Sequence, residues 1–420
     1  MDLITFAAPF FVAATIIELI VDRLRGSKFY RANDAINSLS TGMLYMSLGY
    51  FTKFAALVIW GYVLQNFALI DMSTSWFDAS PRGIALWVVA ALGWDFCYYW
   101  FHRASHEVSI LWASHAVHHQ SEDYNLSTAQ RQTSSGFLFG WIFYLPLFVI
   151  GFPLEVLLTV GAVNLIYQFW VHTQMIDRLG VMDRIMITPS NHRVHHAQNA
   201  PYIDKNYGGM LILWDRLFGT YAAERDDEAV VFGVRKPLAN WNPFWANLQV
   251  YDYLLYDSIR TKRWRDKIGV WFRRTGWRPA DMEAAHPKQQ SNLVEFKKFD
   301  PDIGQEMQRY VLFQFLAAIS LGLLIANVYI GGGLRAIAAL CIMLWAHLYT
   351  IGLLNQGRPN ALVFESLRLV VVNGAALFAM RYSEFAVAPA AWVWIGIYTF
   401  VSMLWIIKLK SLVKTITSTA

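Results

Sequence analysis

Apolar runs long enough to cross a bilayer recur along this 420-residue chain and limit the folds that it can adopt. A helix needs roughly 20 apolar residues to cross a hydrocarbon core about 30 Å thick. Such runs open the chain, continue to about residue 176 and return after about residue 310. Only helices and closed barrels span lipid, because no water satisfies the backbone there, and runs of this length are helical. The sequence therefore predicts an all-α, multi-pass transmembrane bundle.

The composition agrees with a membrane protein. Hydrophobic residues make up 56% of the chain and charged residues 15%, with a mean hydropathy of +0.32. The 18 Trp and 20 Tyr suit membrane–water interfaces, where amphipathic rings collect. Cys97 and Cys341 both lie in apolar runs, so neither a disulfide framework nor a thiolate metal site is expected.

We predict about nine spans and four segments along the chain. Gly151-Phe152-Pro153 interrupts one long apolar stretch and predicts a tight hairpin. The spans are expected at about 3–21, 43–70 and 83–101, in the two arms of a hairpin within 136–176, and at 310–329, 333–353, 362–380 and 389–407. The segments are N-terminal transmembrane helices (1–82), a histidine-rich core (83–230), a cytoplasmic or interfacial basic segment (231–309) and C-terminal transmembrane helices (310–420).

Positive charge is concentrated between the two groups of spans. Residues 177–309 contain 20 of the 35 Lys and Arg residues, and such residues near spans favour the cytoplasmic side. With nine spans, one orientation also puts the basic residues after the first and last spans on that side. We therefore expect the N-terminus and the loop 71–82 outside, and the C-terminus inside. The membrane is expected to be a bacterial inner membrane, or the endoplasmic reticulum in a eukaryote.

Nine of the 11 histidines fall between residues 102 and 196. They form one HxxxH motif, two HxxHH motifs and a separate histidine at the end of the hairpin's returning run. Residues at i, i+3 and i+4 share one face of a helix, so each motif should present its imidazoles to a common point. The predicted metal ligands are His102, His106, His115, His118, His119, His172, His192, His195 and His196.

So many histidines predict two metal ions. Imidazole suits iron, zinc and copper, and a tetrahedral zinc ion takes only four ligands. The motifs lie at span ends and in polar segments of one side, so we expect a histidine-rich helical cap at the cytoplasmic membrane surface. His286 and His347 lack cluster partners and are not expected to be ligands. Asp95 lies two helical turns before His102, where its carboxylate could orient a ligand imidazole.

Other classes of function have weaker support. No HExxH, Walker, GxSxG or GxGxxG motif is present, so hydrolysis and nucleotide binding lack a signature. The basic and aromatic stretch 262–277 lies near spans and indicates a membrane surface rather than a nucleic-acid partner. A metal transporter or haem electron carrier is the alternative of another class. Against it, the motifs gather at one surface, and haem ligation needs facing histidine pairs.

The stretch from Asp95 to Tyr221 resembles the fatty acid hydroxylase and sterol desaturase superfamily, whose signature is HxxxH followed by two HxxHH motifs. Segments DFCYYWFHR (95–103) and NHRVHH (191–196) carry the likeness. Within the superfamily, IDKNYGG (203–209), WDRLFGT (214–220) and the added C-terminal spans are most similar to the alkylglycerol monooxygenases.

That resemblance implies an oxidoreductase with two iron ions, dioxygen as oxidant and a lipid substrate whose C–H bond is hydroxylated. Tetrahydrobiopterin or another reduced pterin is the preferred electron source, and an electron-donor protein is the alternative. The alternatives are a sterol or fatty acyl desaturase and a hydroxylase of another bacterial lipid. The sequence does not separate them, since hydroxylation and desaturation both begin with removal of a hydrogen atom. Asn125, Tyr207 and Asp215 are candidates for contact with substrate or pterin, and Ser190 for the N-cap of the third motif's helix.

Overall fold

A computed structural model describes residues 3–288, 291–331, 333–375 and 389–419. Within these ranges all regular structure is helical apart from three isolated β-bridges, which confirms the all-α prediction. The chain forms two compact units. The first comprises Met1–Tyr45, Gly49–Leu238 and Ala246–Lys298, and the second Met46–Leu48, Ala239–Trp245 and Phe299–Ala420.

Twelve α-helices precede residue 300 in the described part of the chain. They are α1 (Leu3–Arg25), α2 (Ala32–Phe67), α3 (Pro81–Glu107), α4 (Ser109–His119), α5 (Leu126–Ala129), α6 (Gly140–Ile150), α7 (Leu154–Trp170), α8 (Pro189–His195), α9 (Leu213–Leu217), α10 (Pro243–Arg260), α11 (Trp264–Phe272) and α12 (Ala280–Ala285). Then follow α13 (Gln305–Gly331), α14 (Leu334–Leu354), α15 (Ala361–Leu367), which runs into a π-helical turn (Arg368–Val372), and α16 (Pro389–Thr419).

Five described helices are long and apolar enough to cross a membrane. They are Ala32–Phe67, Pro81–Glu107, Gln305–Tyr329, Leu334–Leu354 and Val393–Ser411. The hairpin helices α6 and α7 have 11 and 17 residues, about 17 and 26 Å, and are shorter than a full crossing. The predicted span 362–380 runs past residue 375 and lies partly outside the described residues. The protein is an integral membrane protein, and the count of about nine spans stays a prediction.

Aromatic packing fixes α3 against the hairpin. Trp94 of α3 stacks on Tyr144 of α6 with ring centroids 4.1 Å apart, and Trp60 of α2 stacks on Phe148 at 5.0 Å. The Trp60 indole N–H also donates to the carbonyl of Trp141 at 3.0 Å. Large rings bury much apolar area, and a buried indole N–H needs an acceptor. This cluster therefore sets the position of α3, which carries the first histidine motif.

The hairpin turns at Gly151, as the sequence predicts. Gly151 has φ +112°, and a Cβ there would lie 1.8 Å from the carbonyl oxygen of Ile70. Only glycine suits such a left-handed turn pressed against another backbone. The amide of Leu69 donates to the carbonyl of Val149 at 2.8 Å beside this turn. The chain then returns through α7 and delivers His172 two residues after that helix ends.

A buried carboxylate ties α1 to the histidine-rich core. Glu18 accepts hydrogen bonds from the hydroxyls of Tyr30 and Thr173 and from the amide of Leu126, the last at 2.7 Å. Thr173 directly follows His172, and Leu126 opens α5 after the second motif. One side chain on α1 thus holds two segments that lead to ligand candidates.

In the second unit, buried polar groups pair with one another between the apolar helices. The Arg368 guanidinium contacts the Glu365 carboxylate at 2.7 Å, and His347 Nε2 lies 2.8 Å from Gln314 Oε1. Tyr398 also hydrogen-bonds Gln314. Polar groups among apolar helices are costly unless partnered, so this network explains how the helices carry them. His347 serves this packing and is separate from the histidine groups described below.

Candidate metal centre

The nine clustered histidines converge in the first unit as two groups. Within each group the candidate ligand atoms all lie within 4.8 Å of one another. Every ring is buried except that of His115, which is partly exposed. The first group is His102, His106, His115, His119 and His195, and the second is His118, His172, His192 and His196.

Each HxxHH motif divides its histidines between the two groups, so the predicted common point is wrong. In α4, His115 and His119 belong to the first group and His118 to the second. The motif at α8 does the reverse, with only His195 in the first group. At about 100° per residue, positions i and i+4 are about 40° apart, whereas i+3 and i+4 are about 100° apart. Hence the histidines at i and i+4 of each motif belong to one group, and the histidine at i+3 belongs to the other.

Backbone carbonyls orient four of the rings. The Nδ1 atoms lie 2.7–3.0 Å from the carbonyl oxygens of Tyr207 (for His102), Arg131 (for His118), Gln168 (for His172) and Lys205 (for His195). A carbonyl only accepts, so each Nδ1 carries the proton and each Nε2 keeps its lone pair. Such contacts fix the tautomer and the ring direction of a metal-ligating histidine.

The inward Nε2 atoms of the four oriented rings have no proton to share. Nε2 of His118 and Nε2 of His172 lie 3.3 Å apart, although both rings already hold their proton on Nδ1. Two lone pairs at this distance repel each other, and a cation that both nitrogens contact removes the repulsion. In the first group, Nε2 of His106 and Nε2 of His195 are buried without a hydrogen-bond partner in the described part of the chain. Neighbouring ligand atoms of one ion are about 3 Å apart when metal–nitrogen distances are near 2.1 Å. The residues therefore fit a metal ion in each group.

Burial keeps the rings neutral. It lowers the pKa of His118 to about 4, even though the carbonyl of Arg131 favours its charged form. The pKa of His119 and that of His196 fall well below the usual range, first through burial and then through neighbouring imidazoles. Neutral imidazole is the form that binds metal, so no proton must leave these rings at pH 7.

The loop between α8 and α9 supplies two of the orienting carbonyls. Asp204 and Asn206 have φ of +59° and +57°, a left-handed conformation that is uncommon outside glycine. The Asn206 side chain donates to the carbonyls of Asn191 and Ala222 and holds this conformation. The strained backbone turns the carbonyl of Lys205 to His195 and that of Tyr207 to His102.

Asp215 holds the same loop through hydrogen bonds to its backbone. Its carboxylate accepts from the amides of Tyr207 and Gly208, at 2.7 and 2.8 Å, and from the Thr220 hydroxyl at 2.7 Å. Burial raises the pKa of Asp215 to about 6 despite these donors. Asp215 is therefore a residue that positions the loop, and its oxygens are used by protein donors.

Asp95 does not contact a ligand imidazole, which corrects the sequence prediction. Its oxygens accept from Asn164 (2.7 Å), from the amides of Met210 (2.7 Å) and Leu211 (3.1 Å), and from the Trp214 indole (3.0 Å). The loop backbone reaches Asp95 because Gly209 has no side chain; a Cβ there would lie 2.9 Å from Asp95 Oδ1. The polar partner of His102 is the Tyr207 carbonyl instead. Asp95 thus supports His102 through the loop.

Arg131 and Gln168 are site residues that sequence reasoning missed. The Arg131 side chain is fully buried and donates to the Val117 carbonyl at 2.6 Å, to Asn37 at 2.5 Å and to Gln120 at 3.2 Å. Both residues contact histidines through their backbone carbonyls, and no spacing rule marks such contacts. The only available signal for Arg131 was a charged residue close to a histidine motif.

Other candidates have structural roles. The Asn125 side chain accepts from the Ser127 amide and caps α5. Ser190 is not an N-cap, because α8 begins one residue earlier at Pro189, whose fixed φ suits the first helical position. The ring of His286 packs on Tyr256, outside both histidine groups.

Tyr207 offers an unused hydroxyl beside the first group. Its ring centroid lies 5.3 Å from that of His106 and 6.0 Å from that of His102. The hydroxyl is buried and has no hydrogen-bond partner among the described residues. Burial raises the pKa of Tyr207, so the group keeps its proton. It is the one candidate from the sequence that remains open to contact a bound molecule.

Comparison with known proteins relates the chain to membrane oxygenases. The profile of the fatty acid hydroxylase family matches residues 87–220. Alkylglycerol monooxygenase of Homo sapiens is 36% identical over 378 residues, which cover 88% of this chain and 81% of the relative. That of Xenopus tropicalis is 33% identical over 91% of this chain and 82% of the relative. Ornithine lipid hydroxylase OlsE of Rhizobium tropici is 33% identical over 37% of this chain and 46% of its own length. No solved structure matches the chain significantly.

Proposed function

This chain belongs to the alkylglycerol monooxygenase family, and we propose that it oxidises glycerol ether lipids with two iron ions held by its nine clustered histidines. It is an oxygen-dependent membrane enzyme that hydroxylates a lipid. The identity of the metal, the lipid and the reductant belongs to the proposal. The observation that carries it is the division of the nine histidines into two buried groups with inward-facing nitrogen lone pairs.

Iron, when bound, would supply the activation of dioxygen and the removal of a hydrogen atom from the lipid. The preferred C–H bond lies beside the ether oxygen, where it is weaker than one in mid-chain. One oxygen atom enters that bond, and the other leaves as water with two electrons and two protons from the reductant. The product is a hemiacetal, which collapses to a fatty aldehyde and glycerol. No hydrolase residues are needed for this cleavage, consistent with the lack of their motifs.

The protein's own groups hold, orient and shield the site. Carbonyls of four residues fix the direction of His102, His118, His172 and His195, so little reorganisation is needed when metal binds. Burial of the rings excludes water, which protects a reactive oxidant from side reactions. The Tyr207 hydroxyl is available to hold or donate a proton beside the first group.

A reduced pterin such as tetrahydrobiopterin is the proposed electron source, and an electron-donor protein is the alternative. The support is the similarity to alkylglycerol monooxygenases over most of the chain. We also propose that the histidine groups face the cytoplasm, because residues 177–309, which include the third histidine motif, are rich in Lys and Arg and favour that side.

The direct test supplies purified, iron-loaded protein with an alkylglycerol, dioxygen and tetrahydropterin, and measures fatty aldehyde. Aldehyde formed in proportion to pterin oxidised supports the proposal. Absence of aldehyde, with hydroxylated or desaturated acyl product appearing with a ferredoxin system, would keep the oxygenase and reject the ether-lipid substrate. The similarity to OlsE makes a hydroxylated amino-acid lipid the first product to seek in that case.

A further inference from the structure

The short helix α11 carries an exposed apolar row on one face. Trp264, Ile268 and Phe272 are 79%, 63% and 65% exposed, and their i, i+4, i+8 spacing places them on one side of the helix. The other side packs on the first unit, where Val270 is buried against Ala113 of α4 and Leu254 of α10. An amphipathic helix of this kind, held by its inner face, has an outer face that favours a nonaqueous surface.

An arginine-lined cleft lies beside that row. The cleft has a volume of about 310 Å³, and its cationic lining comes from Arg263, Arg265, Arg273 and Arg278. Arg278 is paired with Asp257 at 2.7 Å. The other three form no ion pair with any carboxylate that the structure describes, although Asp266 also lines the cleft. The Arg273 guanidinium also stacks on the Trp277 ring at 4.1 Å, which leaves its charge without a carboxylate. Guanidinium groups without a carboxylate partner around one cleft suit a phosphate group.

We propose that α11 docks on an anionic lipid surface, with its apolar row in the outer acyl region and lipid phosphate in the arginine cleft. The apolar row argues against an acidic protein as the partner, and the arginine cleft argues against an uncharged bilayer. An acidic protein would suit the arginines but not three large exposed apolar side chains in a row, and an uncharged bilayer would not use the arginines. Anionic phospholipid meets both needs, because basic residues near such a surface gain attraction while aromatic rings lie at the headgroup level.

The placement of α11 gives this docking a consequence for the histidine groups. The carbonyl of Arg273 accepts from the amide and the hydroxyl of Ser109, at the turn between α3 and α4, both at 3.0 Å. Arg274 pairs with Asp204 at 3.2 Å. Asp204 adjoins Lys205, whose carbonyl orients His195. Lipid bound at α11 would therefore lie next to the helix turn and loop that shape the first group. This inference stands on the surface geometry and does not require the proposed substrate.

The test places a spin label at Ile268→Cys in the full chain, reconstituted in vesicles. Cys97 and Cys341 are buried, so the new thiol is labelled selectively. Vesicles contain phosphatidylcholine alone or with phosphatidylglycerol. Collisions of the label with a neutral, water-soluble nickel chelate are compared with collisions with dioxygen. The matched control is a label at Asp226→Cys, a side chain 90% exposed in a polar loop.

We expect the label at position 268 to show several-fold fewer nickel collisions than the label at 226 in the anionic vesicles. The protection should be smaller in neutral vesicles. The combined change Arg263→Gln, Arg265→Gln and Arg273→Gln should remove this dependence on lipid charge, while the backbone carbonyl of residue 273 remains. Equal nickel collisions at 268 and 226 in both vesicle types would overturn the proposal. So would equal protection in neutral and anionic vesicles, or protection that appears only when an acidic donor protein is added.

Discussion

Arg131 holds His118 from two directions. Its carbonyl oxygen lies 2.9 Å from Nδ1 of His118, and its guanidinium donates at 2.6 Å to the carbonyl of Val117, the preceding residue. The side chain is fully buried and also contacts Asn37 of α2. One residue thus links the end of α4 to α2 and fixes a ring of the second histidine group.

Replacing Arg131 should therefore weaken metal binding in the second histidine group more than in the first. Arg131→Lys keeps the charge but loses the planar fork that donates to three acceptors. We expect weaker metal binding in the second group, and for Arg131→Met a loss of about 1–3 kcal/mol in the free energy of unfolding, because buried acceptors lose their donor. Metal content per chain and thermal unfolding measure these effects. Arg184→Lys, at an exposed position, is the control and should change neither. Full metal content in Arg131→Met would contradict the role.

Asp95→Asn should weaken the first group although Asp95 contacts none of its rings. The new amide keeps one oxygen but turns its N–H groups either to the donors of Asn164 and Met210 or to those of Leu211 and Trp214. The loop would then withdraw from α3. We expect roughly a 10–100-fold loss in metal affinity, the usual result of losing an orienting contact. Metal titration of the variant checks this, with the exposed change Asp177→Asn as control. An unchanged affinity would show that the loop is held without Asp95.

Single alanine substitutions should separate the two histidine groups. Changes at His172 or His196 should lower metal chiefly in the second group, and changes at His106 or His195 chiefly in the first. His286→Ala should leave both metals and activity intact. His347→Ala should keep the metals but reduce thermal stability, because Gln314 loses a buried partner.

Metal analysis by mass spectrometry, with metal-free protein as reference, follows each variant. If alanine changes at His118, His119, His195 and His196 all left metal and activity unchanged, the ligand assignment would be wrong.

The proposed topology predicts which positions an impermeant reagent reaches in sealed cells. Ser75→Cys, in the loop 71–82, should react from outside. Asp226→Cys, within the stretch 177–309 that is rich in Lys and Arg, should react only after the membrane is opened. Both side chains are exposed, so folding does not hide them. Reaction of position 226 in sealed cells would contradict the proposed orientation and support the opposite one.

The sequence predicted what depends on periodicity and composition. Helical class, the break at Gly151 and all nine members of the histidine groups were readable, because a helix repeats every 3.6 residues and lipid demands long apolar runs. The helical repeat also implies that the histidines of one HxxHH motif point in different directions. Assigning them to two groups, however, requires knowing which helices face each other. That information is tertiary.

The supporting contacts could not be read in advance. Carbonyls of Tyr207, Arg131, Gln168 and Lys205 orient rings 4 to 105 residues away, and a carbonyl belongs to every residue type. Asp95 was placed on the correct helix, but helical spacing could not show that a distant loop would occupy its oxygens. The hairpin helices were predicted as spans from apolar composition, which reports burial in lipid or protein alike, and that assignment stays a prediction.

The nine clustered histidines are proposed to hold two iron ions. Protein purified from cells supplied with iron should be analysed for total metal by mass spectrometry and for iron state by Mössbauer spectroscopy. We expect two iron ions per chain in nitrogen-rich sites, reduced to less than one when His118 and His119 are both changed to alanine. A chain that carries one metal ion or none, or two zinc ions with full activity, would contradict it.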